Sequence, residues 1–418
     1  MVTGVDTGGS FAALSRTALA VLVPELLLCG QLIDRSGMAH LISAFGREGM
    51  AEVAIEEWQA SSPWYTRRMQ RALKFEGDDV VTIFKGMQLD IGAPPQFMDF
   101  RYRVHDRDHG EFWLDHCGAL MDVEPLGDAY VTAMCHDIED PTFDATALAT
   151  NPHARVRPIH RPPRAPADRH PHCAWTVTID SSYDPPAVEP HTEALGRTAA
   201  VALELSPIDH DGEGRHDYSG PLLADLRFDE FSKPALVRIA EEVCLQHHLL
   251  ALGFLMSVRK RTDEQSAIEL TRKQLTGIAG ITSERIRTAL GLPRSFAGLS
   301  VVLDVHPMLA PDRYVDRVIC FDDALGLRIN RRGGAFDDGS WPTLIDAEHL
   351  GPLDALVRGV DPHFTTRLVS ATDEALVVEV FRDESPAKEC DEVAITRFST
   401  GSSFVFEDRG IPLPLTVV

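Results

Sequence analysis

The chain has 418 residues, 44% of them hydrophobic and 25% charged, with 63 Asp and Glu against 40 Lys and Arg and a net charge of −23. So acidic a balance argues against a nucleic-acid or anionic-membrane partner, both of which need a basic surface. The length exceeds one ordinary core and leads to two domains or one domain duplicated.

Residues 11–45 carry an apolar helical period with Gly37 as a break, and residues 48–74 continue it, with "EEW" and "RRMQRAL" placing charges on an outer face. Phe11–Gly30 is apolar enough to resemble a signal peptide, but it lacks a basic flank and is interrupted by Arg16, Pro24 and Glu25, so it reads as a core helix. "DDVVTIFKGMQLDI" starts with acidic capping residues and reads as a further helix. "MDFRYRVHD", "GEFWLDHCG" and "DAYVTAMCH" read as strands, the last two joined as a hairpin through "EPLGD". "DPTFDATALATNP" reads as a short helix stopped at Asn151-Pro152. "ARVRPIHRPPRAP" suits a sheet edge, because proline cannot donate to a ladder. "HCAWTVTID" is again a strand. Further on, "SKPALVRIAEEVCLQHHLLALGFLMSVRKR" reads as a long helix, and "LSVVLDV", "DRVICFD", "LGLRINR" and "EALVVEVF" as strands.

Sliding the chain on itself by about 216 residues brings collinear matches into line. Glu25 falls on Glu242, Pro95 on Pro311, Asp106 on Asp322, Gly118 on Gly334 and Ala119 on Ala335. The expected architecture is therefore α+β with an internal duplication, each repeat two or three helices followed by a mainly antiparallel sheet. The first repeat spans 10–185, a Pro-, Gly- and Asp-rich linker 186–227, the second repeat 228–390 and a C-terminal strand or tail 391–418.

Seven cysteines, an odd number without framework spacing, fit unpaired thiols in a reducing cytoplasm. Eight of the 17 histidines fall between His105 and His172, together with three of the cysteines. His116-Cys117, Cys135-His136 and His172-Cys173 form adjacent pairs, and His116-Cys117 becomes Arg332-Gly333 in the second repeat. Strand alternation separates each His from its neighbouring Cys and gives a His group and a Cys group, unless a bulge intervenes.

Three imidazoles from neighbouring strands with an open position would suit a catalytic transition metal, zinc or iron. The candidate ligands are His116, His136, His172, Cys117, Cys135 and Cys173. Glu139 or Asp137 would take the proton of a metal-bound water. Cys135, paired across strands with His116, is the alternative nucleophile of a cysteine hydrolase, and Cys117 with His136 is the other cross-strand dyad. Buried thiols beside ordinary histidines remain the plain alternative. Arg155, Arg157, Arg161 and Arg164 around His160 could clamp an anionic substrate, with Arg157, His160 and Arg161 as its core, or pair with the surplus acids.

The segment "MCHDIED…NPHARVRP…HPHCAWTVTI", with Cys135 and Cys173, resembles the L-2-amino-thiazoline-4-carboxylic acid hydrolase-like domains. Its end is similar to the "GD-x-x-C-x-F" ending of vinyl-reductase-type sensor domains, although the Gly-Asp is replaced by "DRHPHC". The resemblance covers about residues 90–180 and implies an α+β small-molecule domain, hydrolytic or ligand-sensing. The expected function is thus a metal-dependent hydrolase of a small, carboxylated molecule, cytoplasmic and homodimeric. A non-catalytic sensor binding a ligand, haem or metal stands as the alternative.

Overall fold

The computed structural model describes residues 10–321 and 324–418, and Asp322, aligned with Asp106 above, lies outside them. The fold is α+β, with two separate four-stranded antiparallel sheets. In chain order the helices are α1 (Arg16–Ala72), α2 (Val80–Met87), α3 (Gly118–Val123), α4 (Asp128–Thr132), α5 (Glu139–Leu148), α6 (Pro190–Leu195), α7 (Ala199–Ala202), α8 (Lys233–Arg259), α9 (Glu264–Ala289), α10 (Phe296–Val305), α11 (Gly334–Asp337), α12 (Gly351–Val360) and α13 (Asp391–Arg397). The strands are β1 (Met98–Val104), β2 (His109–Cys117), β3 (Ala154–His160), β4 (Cys173–Ile179), β5 (Arg317–Phe321), β6 (Leu325–Asn330), β7 (Phe364–Ala371) and β8 (Ala375–Arg382).

The first sheet runs β1-β2-β4-β3 and the second β5-β6-β8-β7, so the strands follow the same order in both. Other local features recur. Ser15 caps α1 by accepting from Ala18 N, and Ser232 caps α8 by accepting from Ala235 N. Asp79 and Ser295 do the same for α2 and α10. Asp144 on α5 accepts the Val156 N–H of β3 at 2.8 Å, and Asp354 on α12 accepts the Thr366 N–H of β7 at 2.8 Å.

The long helices α1, α8 and α9 pack along one another, and one continuous apolar core joins them to both sheets. α1 bends at Gly46, whose φ of 74° falls in the left-handed region. The expected break at Gly37 is not there. Gly37 instead allows close packing, since a Cβ would sit 2.9 Å from Phe254. α1 is long and apolar enough to cross a membrane, but 72% of its apolar window is buried inside the fold.

Two buried ion pairs tie the helices together. Arg68 of α1 meets Glu242 of α8 at 2.8 Å, and Arg285 of α9 meets Glu25 of α1 at 2.6 Å. Each guanidinium also gathers carbonyls of the chain beyond a sheet. Arg68 donates to Val201 and Leu203, and Arg285 to Gly401, Ser402 and Phe404. Glu57 and Arg68, expected on an outer face, are therefore interior residues, 1% and 5% exposed.

Several local expectations fail for physical reasons. "DAYVTAMCH" is helical: α4 runs into a π-helical segment, Ala133–Ile138, and then α5. Its buried residues Val131, Met134, Cys135 and Ile138 follow a helical spacing, which outweighs the β-branched and aromatic content. "EPLGD" is a single 3-10 turn rather than a hairpin. "LSVVLDV" belongs to α10, and β7 was not anticipated. Residues 186–227 do not form a free linker, because Tyr218 and Leu223 are buried and Lys85 Nζ donates to the Tyr218 and Gly220 carbonyls.

Candidate functional site

β2 and β4 bring the histidine and cysteine segments together but sort them apart. On β4, Cys173, Trp175 and Val177 face the core, as alternation predicts. On β2, Phe112 and Leu114 face inward, and a register shift opposite Met98 and Phe100 turns Cys117 inward as well. Cys117 Sγ then lies 3.9 Å from Met98 Sδ and 3.3 Å from Leu120 N. Cys135 arrives from the π-helical segment.

All three thiols are buried beside Glu139, and burial first, then that carboxylate, raises each of them. Cys117 is pushed up to about 12. Such thiols are protonated and poorly nucleophilic, so the structure offers no support for Cys135 as a nucleophile.

His116 and His172 lie with ring centroids 5.9 Å apart, and His170 lies 5.0 Å from His172. Burial, then Arg164, lowers His172 to about 4. His136 is turned elsewhere, its Nε2 2.7 Å from the Pro162 carbonyl. The helical conformation of residues 128–138 sends it away from the strand face on which the metal reading put it.

Among the described residues, the one group of three with ligand atoms within 4.8 Å of one another is Glu56, Glu189 and His191. His116, His136, His172, Cys117, Cys135 and Cys173 are thus not brought to one metal centre. Glu56 is itself engaged by cations. Burial raises its carboxyl, but hydrogen bonds from Arg261, Lys260 and Ser257 hold it down at about 2.

The arginine segment is ion-paired. Arg157 meets Asp144 at 2.9 Å, Arg161 pairs with Asp140, and Arg164 meets Glu124 at 2.7 Å. These carboxylates already occupy the guanidiniums expected to clamp an anionic substrate. His160 sits on edge strand β3 with its Nδ1 unpartnered. Asp137 is exposed and lies on a surface depression with Arg47 and Asp128.

Glu139 stands apart from the other candidates. It lines a cavity of about 80 Å3 between α1, α5 and the inner face of the first sheet. Gln31, Asp34 and Trp58 of α1 line the same space, as do Asp90, Phe100, Met134, Thr142 and Phe143. Asp34, Asp90 and Gln31 are 6%, 5% and 5% exposed. Asp34 accepts from Trp58 Nε1 at 3.1 Å, and Asp90 accepts from Tyr65 OH at 2.9 Å and from Gly92 N at 2.7 Å. Glu57 lies behind, its carboxyl raised well above the usual range by burial and then by Asp34. Burial, opposed by the Gly92 and Tyr65 hydrogen bonds, leaves Asp90 at about 6. Burial, then Asp140, lifts Glu139 to about 8 against the pull of Arg161 and Arg35. The buried Oε2 of Glu139 and Oε1 of Gln31 have no hydrogen-bond partner.

Among the described residues, the second half has no matching group of carboxyls at the corresponding positions. At the offset of 217 that relates Glu25 to Glu242 and Arg68 to Arg285, Asp34 corresponds to Ala251 and Asp90 to Pro307. Gln31 corresponds to His248, which is satisfied by Ser340 Oγ at 2.8 Å and the Ala310 carbonyl at 3.0 Å and packs against Tyr314 and Trp341.

Asp34, Glu57, Asp90 and Gln31 were not picked out from sequence. The available signal was Gln31 and Asp34, three apart inside the apolar run "LLLCGQLID", where a plain core helix has no polar residue. No protein-family model matches the chain, and no curated protein or solved structure does.

Proposed function

We propose that the protein is a small-molecule enzyme whose site is the cavity of the first half, with Glu139 as the group that gives or takes the proton. The observation that carries this reading is a partnerless, buried carboxyl oxygen lining a half-open and largely apolar space. General acid–base catalysis works best with a group titrating near neutrality. Glu139 at about 8 and Asp90 at about 6 form a pair whose environments separate their protonation states. Hydrolysis is the economical reaction, with the carboxylate of Glu139 drawing a proton from an attacking water; the resemblance over residues 90–180 implies a hydrolytic or a ligand-sensing domain. The chemistry thus moves from the His/Cys set to the carboxyls.

Thermal-shift screening of a small-molecule library tests the reading. Hits should raise the melting temperature of the wild type and not of Ala119→Leu, which fills the cavity wall. Turnover of a hit should vanish in Glu139→Gln while binding persists. Hits indifferent to Ala119→Leu would contradict the site, and turnover surviving Glu139→Gln would contradict the role of Glu139.

We also infer that the two halves descend from one duplicated unit of which only the first keeps a site. The shared strand order, the paired caps and the reciprocal Arg68–Glu242 and Arg285–Glu25 contacts support this. All seven cysteines are unpaired, which supports the expected reducing compartment.

A further inference from the structure

The geometry points to the kind of molecule the cavity takes: a small organic cation, a primary ammonium on a short apolar body, rather than a carboxylate. This rests on the cavity being the ligand site.

The charge of the walls is one-sided: Asp34, Asp90 and Glu139 line the space and no Lys, Arg or His does. Apart from the amide of Gln31, the side-chain and turn donors that line the space are already committed. Trp58 Nε1 donates to Asp34 and Gly92 N to Asp90, while Thr142 Oγ1 donates to the Ile138 carbonyl at 2.8 Å and Thr146 Oγ1 to the Thr142 carbonyl at 3.2 Å. Among the fully buried side-chain atoms of the walls, what remains unpartnered is acceptors. Glu139 Oε2 is one, and Gln31 Oε1 is the other. Gln31 is independent of the acidic cluster: a neutral amide, 5% exposed, on the wall of the cavity with nothing to accept from. A buried acceptor left without a donor costs about 1–3 kcal/mol. A ligand that brings N–H donors relieves both acceptors, and its positive charge offsets the carboxylates.

A carboxylate ligand would meet Asp34, Asp90 and, once it is ionised, Glu139, with no basic side chain on the walls to receive it. This replaces the expectation of an anionic substrate, whose arginine clamp is consumed by Asp144, Asp140 and Glu124. The aromatic rings of Trp58, Phe100 and Phe143 supply surface for an alkyl body and a cation. A water needs about 10–15 Å3 of such space, so the cavity admits a body of a few heavy atoms.

Isothermal titration calorimetry of the full chain with n-propylammonium, propionate and 1-propanol tests the inference, in a buffer at about pH 9 where Glu139 is ionised. The ammonium should bind at least about tenfold more tightly than the alcohol, in keeping with charge-assisted hydrogen bonding, and propionate should not bind. Asp34→Asn and Gln31→Leu should each weaken the ammonium more than the alcohol, and Ala119→Leu should abolish both. Alcohol or propionate binding as tightly as the ammonium, with loss in Ala119→Leu, would overturn the cation preference and leave the cavity site standing. Ammonium binding that survives Ala119→Leu belongs to the acidic surface and overturns the inference. Absence of binding by all three probes would overturn both the inference and the site.

Discussion

Glu139 holds its proton in the folded chain to about pH 8, whereas the same carboxyl ordinarily releases it near 4.5. Between those values the folded state binds a proton that the unfolded state does not, so unfolding releases it and stability falls as pH rises. The contribution is complete below 4.5, declines through the window and is lost above 8. Glu139→Gln should therefore flatten this alkaline limb and melt above the wild type at about pH 9, because an uncompensated buried charge is removed. An unchanged pH curve in thermal melts would mean that the folded protein carries Glu139 ionised. The buried histidines act in the opposite direction. Burial lowers His172, His248 and His306 to about 4 and His247 to about 3, from an ordinary 6.5. Their stabilisation is present above 6.5 and lost as pH falls toward those values. The melting temperature should drop on acidification through this range, and a flat profile there would contradict the neutral buried imidazoles.

At the scale of elements, the helices are held by buried charge as well as by apolar packing. Removing one member of a buried pair leaves its partner without compensation and costs about 3–5 kcal/mol, whereas replacing both with apolar residues of similar volume is often neutral. Arg68→Met and Glu242→Leu should each be strongly destabilising, and the double substitution should lose less than the sum in denaturant melts but not regain the wild-type stability, because Arg238 loses Glu242 and the Val201 and Leu203 carbonyls lose Arg68. Additive losses would contradict the account. Gly118 provides a second test. A Cβ there would sit 2.1 Å from Phe97 Cζ, and at Gly334 it would sit 2.8 Å from Tyr314 Cδ2. Gly118→Ala and Gly334→Ala should each cost about 1–3 kcal/mol by overpacking, the former more.

These elements also mark what the sequence could reveal. α8 was legible because Ser232 and Pro234 announce its start and an unbroken apolar period follows. α2 and its Asp79 cap, and β3 as an edge strand, were legible for similar local reasons. Residues 128–138 were not, since composition and periodicity disagreed and tertiary packing followed periodicity. The bulge that turns Cys117 inward leaves no local signature. Glu57 and Arg68 read as surface charges because their partners, Asp34 and Glu242, lie far away in sequence. Of the carboxyls at the site, Glu139 alone was picked out, by its closeness to Cys135-His136. Asp34 and Asp90 join it only through the packing of α1 on the first sheet.

For the whole molecule, both halves carry the same strand order and reciprocal buried contacts, yet the acidic cavity belongs to the first. In the second, His248, Tyr314 and Trp341 pack tightly against one another at the matching position. The described surface also has a groove of about 780 Å3 beside the C-terminal segment, lined by Arg227, Phe404 and Arg409 among others. It competes with the cavity as a place for a ligand. The most direct measurement is a crystal structure of the full chain soaked with n-propylammonium. The account predicts ligand density enclosed by Gln31, Asp34, Asp90 and Glu139. Density confined to the C-terminal groove or to the His116 and His172 face, with the cavity holding only water, would contradict it.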